Sequence, residues 1–281
     1  MKIGFNLLLW TAHVTDAHFH ALKTIKAAGY DGVEIPVFGG DPEHYAALGR
    51  RISDEGLEVT SVGLIPDAAH SLVSDDAAAR AAGAGHLRWL VDCNEALGSK
   101  VACGPFHQPL GVFTGSGPTA AELDRLVEAH QGMADYAAPS GIAVVIEPLN
   151  RFECYVLNTA EQAAAHVARV NRPNFGYLYD TFHANIEEKD PVGAIARTID
   201  AIGHVHISEN DRGTPGSGNT PLAETLQALQ AAGYDRWLTI EAFGLAMPEL
   251  AAATKIWRRL FDDEDDVVRD GYRAIRAGLN G

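Results

Sequence analysis

Residues 143–147 read Ala-Val-Val-Ile-Glu, an apolar run that ends on a carboxylate. Its three β-branched residues, Val144 to Ile146, favour a strand, because branched side chains fit the pleated surface of a sheet. No polar residue alternates with them, so both faces of the strand are predicted to be covered, as in a parallel sheet with helices on each side. The stretch therefore predicts an α/β protein with Glu147 at the carboxyl end of a buried strand.

Seven further short, mainly apolar segments predict strands, several of them β-branched runs of the same kind, and each is followed by a longer amphipathic segment. The eight predicted strands are Ile3–Leu9, Gly32–Ile35, Glu58–Leu64, Lys100–Gly104, Ala143–Glu147, Phe175–Asp180, His204–Ile207 and Trp237–Ala242. Eight strand–helix units in 281 residues predict a single closed (β/α)8 barrel. The alternative, an open doubly wound sheet, would carry a glycine fingerprint after the first strand, and Trp-Thr-Ala-His at residues 10–13 lacks one.

The chain shows no linker, no low-complexity stretch and no shift in composition along its length. We therefore predict one catalytic barrel domain over residues 1–281. The segment Pro248–Leu279 is longer than one barrel helix requires, which predicts a longer C-terminal helical segment. Asp-Asp-Glu-Asp-Asp at residues 262–266 is typical of a solvated acidic turn and is expected to interrupt that segment.

The net charge of the chain restricts the classes of molecule that it can bind. The chain has 22 basic and 37 acidic side chains, a formal net charge of −15. Such a surface repels phosphate backbones and anionic lipids, so we expect no nucleic-acid and no membrane partner, and phosphorylated substrates are disfavoured.

The three cysteines form no Cys-x-x-Cys pair and indicate reduced thiols. The first apolar stretch is short and interrupted by Asn6, unlike a signal peptide, so we predict a cytoplasmic protein.

Four consecutive predicted strands end at ionisable side chains. These residues are Glu147, Asp180, His206 and Glu241. A charged group beside a buried apolar run is costly unless it is paired or bound to an ion, and the carboxyl ends of barrel strands are where active sites lie. Three carboxylates and a neutral imidazole sum to a charge of −3, which a cation would neutralise. Oxygen ligands without a thiolate favour Mn²⁺, Mg²⁺ or Co²⁺.

Further polar groups follow the same strands. Glu153 lies in the loop after the fifth strand, His183 follows the sixth, and Arg212 follows the seventh. Such hydrogen-bonding groups suit a polyhydroxylated ligand. The Gly-rich residues 213–218 lack the Lys-Ser/Thr of a phosphate loop and predict a mobile rim. His204, one layer deeper in the seventh strand, is predicted to be a hydrogen-bonded core or supporting histidine rather than a ligand.

Taken together, these motifs resemble those of the ketose 3-epimerase family, whose members act on D-tagatose, D-allulose or L-ribulose, within the xylose isomerase-like barrels. The matching stretches are IEPLNRFE at 146–153, YDTFH at 179–183, HVHISENDRG at 204–213 and IEAF at 240–243. They follow one another through the second half of the chain, and the barrel pattern extends the match over the first half.

The resemblance implies a divalent metal, Mn²⁺ first and Mg²⁺ or Co²⁺ as alternatives, and a homodimer or homotetramer. The implied metal ligands are Glu147, Asp180, His206 and Glu241. Two of them, Glu147 and Glu241, are also the implied acid/base pair. The implied sugar-binding residues, near C1 to C3, are Glu153, His183 and Arg212.

The implied activity is inversion at C3 of a free ketohexose or ketopentose, of the D-allulose/D-fructose, D-tagatose/D-sorbose or L-ribulose/L-xylulose type. One carboxylate would remove the C3 proton, giving a cis-enediolate, and a second would return a proton on the opposite face. An aldose–ketose isomerase similar to hydroxypyruvate or xylose isomerase would instead move a proton between C1 and C2. A metal-dependent endonuclease on the same barrel would need more metal ligands and a basic groove, against which the net charge argues. A non-catalytic sugar-binding barrel gives no reason for two carboxylates across a ligand.

Overall fold

The computed structural model describes residues 1–280 of the chain. Its strands are β1 (Lys2–Asn6), β2 (Gly32–Pro36), β3 (Glu58–Val62), β4 (Val101–Gly104), β5 (Ala143–Ile146), β6 (Phe175–Asp180), β7 (Ile202–Ile207) and β8 (Trp237–Ile240). All neighbours pair in parallel and in chain order, and β8 pairs with β1 to close the barrel. The predicted (β/α)8 barrel is confirmed, and the open doubly wound sheet is excluded.

Helices separate the strands and cover the outside of the barrel. They are α1 (Phe19–Ala28), α2 (Pro42–Asp54), α3 (Ala77–Leu97), α4 (Ala120–Ala137), α5 (Ala160–Val170), α6 (Thr181–Glu187), α7 (Pro191–Thr198), α8 (Leu222–Ala231), α9 (Pro248–Thr254) and α10 (Glu264–Asn280). The interruption between α9 and α10 confirms that the C-terminal helical segment is broken, but the break covers residues 255–263. Of the acidic run at 262–266, Glu264, Asp265 and Asp266 instead form the first turn of α10, where carboxylates favour the helix N-terminus. Within the part of the chain that the structure describes, every helix is too short or too polar to cross a lipid bilayer.

Local sequence explains where several helices begin and end. At the start of α4, the Thr119 hydroxyl accepts from the Glu122 backbone N–H, and the Glu122 carboxylate accepts from the Thr119 backbone N–H at 2.7 Å. This reciprocal capping box satisfies N–H groups that have no partner within the helix. At the other end, α1 and α3 stop at Gly29 and Gly98, both in the left-handed backbone conformation that glycine adopts without steric cost.

Gly104 at the end of β4 brings the backbone into position for the next strand. Its φ is +133°, and a side chain there would overlap the carbonyl oxygen of Gly63 on the neighbouring segment. Only glycine permits this close approach. The Gly104 carbonyl in turn accepts from the backbone N–H of Glu147 at 2.9 Å. The close approach therefore places the first residue after β5 over the barrel.

A buried pair of histidines lies between α4 and α5, away from the strand ends. His130 Nε2 donates to the Phe106 carbonyl at 2.9 Å, so its Nδ1 accepts from His166 Nε2 at 2.8 Å. Burial lowers the pKa of His130 to about 4. Burial, with the neighbouring His130, lowers the pKa of His166 to about 2. Both imidazoles are therefore neutral at pH 7.

We expect this pair to make the fold sensitive to acid. In the unfolded chain both histidines take up protons near pH 6.5, whereas the folded pair resists protonation until about pH 4, so stability falls as the pH drops across that window. For His130 alone the difference corresponds to about 3 kcal/mol. His130→Gln retains a donor for the Phe106 carbonyl and should flatten the decline, measured by urea unfolding of metal-free protein. The control is His20→Gln, at an exposed position; an unchanged decline in both variants would contradict the prediction.

Candidate active site

Four side chains from β5 to β8 converge above the carboxyl ends of the strands. One ligand atom from each lies within 4.8 Å of all the others, and all four side chains are buried. They are Glu147, Asp180, His206 and Glu241. Two follow β5 and β8 directly, one ends β6, and one is the last but one residue of β7. The structure thus brings together the four residues that the strand-end pattern selected, and their binding of a metal stays a prediction.

His206 supplies the observation that tests whether this group fits a metal. Its Nδ1 lies 3.7 Å from Asp180 Oδ2 and 3.6 Å from Glu241 Oε1. Although buried, this nitrogen has no hydrogen-bond partner among residues 1–280. A buried polar atom without a partner is rare and calls for an explanation. An imidazole nitrogen that faces two carboxylates, with a third in the same group, fits a divalent cation, so the residues present suit the expected group.

The pKa shifts of the carboxylates in this group also favour a bound cation. Burial, and the neighbouring charge of Glu241, raise the pKa of Glu147 well above its ordinary range. Burial alone would also raise the pKa of Asp180, but the Arg212 guanidinium, together with His206 and His183, outweighs burial and holds that pKa well below its ordinary value. Carboxylates this close repel one another in the absence of a cation. A bound divalent ion would relieve that repulsion.

Arg212 reaches into the centre of the group. Its Nη1 donates to Glu241 Oε2 at 2.9 Å and to Asp180 Oδ2 at 3.2 Å. The guanidinium lies between two aromatic rings, 3.8 Å from the Phe182 centroid and 4.8 Å from the Phe243 centroid. Ion pairs and stacking thus fix both its position and its plane.

The backbone of Arg212 is held in an uncommon conformation. Its φ is +68°, in the left-handed region that non-glycine residues seldom occupy. Its N–H donates to the Glu209 carbonyl, and its carbonyl accepts from the Phe243 N–H, both at 2.9 Å. The buried Glu209 carboxylate also accepts from the backbone N–H of Gly216, inside the Gly-rich residues 213–218, and from those of Asn210 and Thr220 on either side of them. The loop predicted as a mobile rim is therefore folded around a carboxylate that supports the strained residue.

His183 joins Arg212 at the edge of the group, and Glu153 lies one contact further away. His183 Nδ1 accepts from the Asn150 backbone N–H at 3.0 Å, and Asn150 Nδ2 donates to Glu153 Oε1 at 2.8 Å. Burial lowers the pKa of His183 and so favours a neutral ring, whose proton then sits on Nε2. This Nε2 is 3.0 Å from Arg212 Nη2 and 3.6 Å from Glu147 Oε1. Two adjacent N–H donors are suited to share one oxygen acceptor.

Comparison with known proteins assigns the family. The sequence profile of the xylose isomerase-like TIM barrels matches residues 22–275. The ketose 3-epimerase of Arthrobacter globiformis is 33% identical over 286 residues, with 98% of each chain covered. The chain belongs to the ketose 3-epimerase family. The L-ribulose 3-epimerase of Methylomonas sp. (strain DH-1) is 33% identical over 281 residues, covering 98% of this chain and 97% of the relative.

Comparison with a crystal structure supports the same family membership. The crystal structure of D-allulose 3-epimerase from Methylomonas sp. in complex with D-allulose matches with a TM-score of 0.91 and 31% identity, over 99% of this chain and 96% of that one. The resemblance drawn from the four sequence motifs is confirmed, and with it the assignment to the isomerases of the epimerase class.

Two residues that lie beneath the site, Glu34 and Asn6, were not predicted from the sequence. Glu34 in β2 is fully buried, and Asn6 at the end of β1 donates to Glu34 Oε1 at 2.9 Å and lies 3.3 Å from Glu241 Oε1. A signal was present, since β2 reads Gly-Val-Glu-Ile-Pro and its lone carboxylate lies inside an apolar strand. His204 is placed as expected for a supporting histidine, with its Nε2 3.0 Å from Glu34 Oε2.

Proposed function

We propose that the chain is a metal-dependent ketose 3-epimerase that inverts C3 of a free ketohexose or ketopentose, within one catalytic domain over residues 1–281. The observation that carries the proposal is the meeting of two buried carboxylates, Glu147 and Glu241, from strands three positions apart around the barrel. Inversion needs a group on each face of the reacting carbon, and carboxylates from separated strands can flank a bound sugar. The named relatives support a ketose of the L-ribulose or D-allulose type as the first substrate to test.

The metal ligands in this proposal are the four converging side chains Glu147, Asp180, His206 and Glu241. We propose Mn²⁺, with Mg²⁺ or Co²⁺ as substitutes, because three carboxylates and one imidazole without a thiolate suit these ions. When bound, the cation supplies Lewis acidity that polarises the ketose carbonyl and acidifies the proton at C3.

The chain's own residues move the protons and hold the sugar. One of Glu147 and Glu241 removes the proton from C3, which gives the cis-enediolate of the sugar, and the other delivers a proton to the opposite face. The adjacent donors His183 Nε2 and Arg212 Nη2 bind a substrate oxygen near C1 to C3. Glu153 supports this binding through Asn150, which also hydrogen-bonds His183.

The proposal also includes the cellular compartment of the enzyme and its oligomeric state. Three buried cysteines, all unpaired, fit a reducing cytoplasm. We infer a homodimer or homotetramer from the family resemblance. Sedimentation of the purified protein would test the assembly.

The direct test is a product analysis. Purified protein with Mn²⁺ is incubated with a panel of free ketohexoses and ketopentoses, and the products are separated by chromatography. We expect the C3 epimer of at least one ketose and no aldose. An aldose as the main product would favour the aldose–ketose isomerase instead.

We also expect free ketoses to be better substrates than their phosphates. The charge of Arg212 is already balanced by Asp180 and Glu241, and the nearby Arg151 faces Glu187 at 3.4 Å. With a formal charge of −15, the chain offers little to attract a dianion. Competition assays should give a kcat/KM about tenfold or more higher for the free sugar. A higher kcat/KM for the ketose phosphate would contradict this expectation.

A further inference from the structure

Glu34 lies beneath the four converging side chains, inside the barrel. In the register of β1, β2 and β3, it is paired with Asn6 on one side and Thr60 on the other. Asn6 Nδ2 donates to Glu34 Oε1, and Thr60 Oγ1 donates to Glu34 Oε2, both at 2.9 Å. The buried carboxylate is therefore held from both neighbouring strands.

From across the barrel, β7 brings two imidazoles to the same carboxylate. His206 Nε2 donates to Glu34 Oε1 at 2.7 Å, and His204 Nε2 lies 3.0 Å from Glu34 Oε2. The Cys103 thiol approaches Oε2 at 3.3 Å. The His206 and Cys103 contacts are hydrogen bonds, whereas His204 Nε2 is close to the carboxylate without hydrogen-bond geometry to any of residues 1–280. Together with the donors from β1 and β3, the His206 and Cys103 contacts place four hydrogen bonds on the carboxylate.

The network determines which nitrogen of His206 carries the proton. A carboxylate accepts hydrogen bonds and does not donate them, so the contact with Glu34 requires the proton on Nε2. An imidazole that binds a cation is neutral, and with its one proton on Nε2 it offers the lone pair of Nδ1 to that cation. Nδ1 is the buried atom that faces Asp180 and Glu241 without a hydrogen-bond partner in residues 1–280. Glu34 thus directs the lone pair of His206 to the point where the four side chains converge.

We propose that Glu34 is a positioning residue that fixes the Nε2–H tautomer and the orientation of His206, and thereby sets the affinity of the site for its cation. The inference rests on the metal site of the proposed function. A carboxylate behind a metal-bound imidazole raises its basicity as a ligand, and losing such a partner costs about 10- to 100-fold in metal affinity. Asn6 extends the same network to Glu241, because its Nδ2 lies near both carboxylates.

The test compares Glu34→Gln with Thr60→Val, using metal-free protein titrated with Mn²⁺ alone in a calorimeter. Glutamine has nearly the size of glutamate but removes the negative charge and one acceptor, so Mn²⁺ should bind about 10- to 100-fold more weakly. Thr60→Val removes a donor from the Glu34 oxygen that does not face His206, and should change the affinity by less than about threefold. Thermal melting of both metal-free variants establishes that they are folded.

A second measurement determines the tautomer of His206 in the wild-type chain, so it tests the proposal even if Glu34→Gln fails to fold. In protein labelled with ¹⁵N-histidine and saturated with diamagnetic Mg²⁺, two-bond ¹H–¹⁵N spectra show which nitrogen is protonated. His206→Gln identifies the signals of that residue by their loss. We expect the His206 proton on Nε2 in the wild type.

Four results would overturn the inference: a His206 proton on Nδ1, unchanged Mn²⁺ affinity in Glu34→Gln, an equal loss in Thr60→Val, or a wild type that binds no metal. The last of these would refute the metal site as well. Because the readouts are affinity and tautomer, a missing epimerase activity would refute the proposed reaction separately.

Discussion

Glu147→Gln and Glu241→Gln are each expected to lower the rate of C3 epimerisation by roughly 100- to 10,000-fold or more. Each substitution keeps the size of the side chain and one carbonyl oxygen, but it removes a group that can take up or release a proton. Inversion requires a proton to leave one face of C3 and another to arrive on the opposite face. Losing either carboxylate therefore stops the complete reaction, as chromatography of the epimer formed over time would show.

Turnover in heavy water adds a test of the positions of the two carboxylates. The wild type should place deuterium at C3 of the epimer and form no aldose. The variant that retains the base facing the substrate's proton is expected to exchange that proton without inverting C3. The control is Glu153→Gln, because Glu153 contacts Asn150 rather than the converging carboxylates and should cost less activity than either substitution. Label at C1 or C2 with aldose formation, or near-normal epimerisation by either Gln variant, would refute the assigned roles.

Removal of the metal is expected to abolish activity and to lower the melting temperature by several degrees. Without the cation, the buried carboxylates of Glu147, Asp180 and Glu241 repel one another, and the Arg212 guanidinium pairs with two of them but leaves Glu147. A ligand that binds only the folded state stabilises it in proportion to the logarithm of its concentration over Kd. Added Mn²⁺ or Co²⁺ should therefore restore both the melting temperature and the activity.

A matched variant separates this effect from a general response to chelators. His206→Gln removes the imidazole whose Nδ1 has no hydrogen-bond partner in the described part of the chain, and the melting temperature of this variant should barely respond to Mn²⁺. Differential scanning calorimetry with and without the ion measures both proteins. Full activity after exhaustive chelation, with absence of metal confirmed by elemental analysis, would refute the metal site.

The strand pattern predicted most of the fold, because buried parallel strands read as apolar runs and their ends were marked by charged residues. It also predicted the convergence of Glu147, Asp180, His206 and Glu241, since the carboxyl ends of barrel strands share one rim. Prediction from sequence therefore succeeded for features that are encoded within one strand, namely the position of the strand and the residue at its carboxyl end.

Features that depend on contacts between distant segments were not predicted. The role of Glu34 follows from its register with Asn6 and Thr60 and from the closure that places β7 opposite, neither of which a single strand reveals. The left-handed backbone of Arg212 depends on hydrogen bonds to Glu209 and Phe243, one of them across to the segment after β8. Such a conformation leaves no local signal at a non-glycine residue.

The contact between Asn6 and Glu241 has a consequence for the order of folding. The two side chains are 235 positions apart in the chain, at the ends of its first and last strands. A growing chain cannot form this contact, or the β1–β8 pairing beside it, until β8 has been synthesised. The four proposed metal ligands lie on or directly after β5 to β8, so that set is also incomplete until β8 has been made. A cation held by the four proposed ligands is therefore expected to bind after β8 has been made, and to stabilise the half of the barrel from β5 to β8.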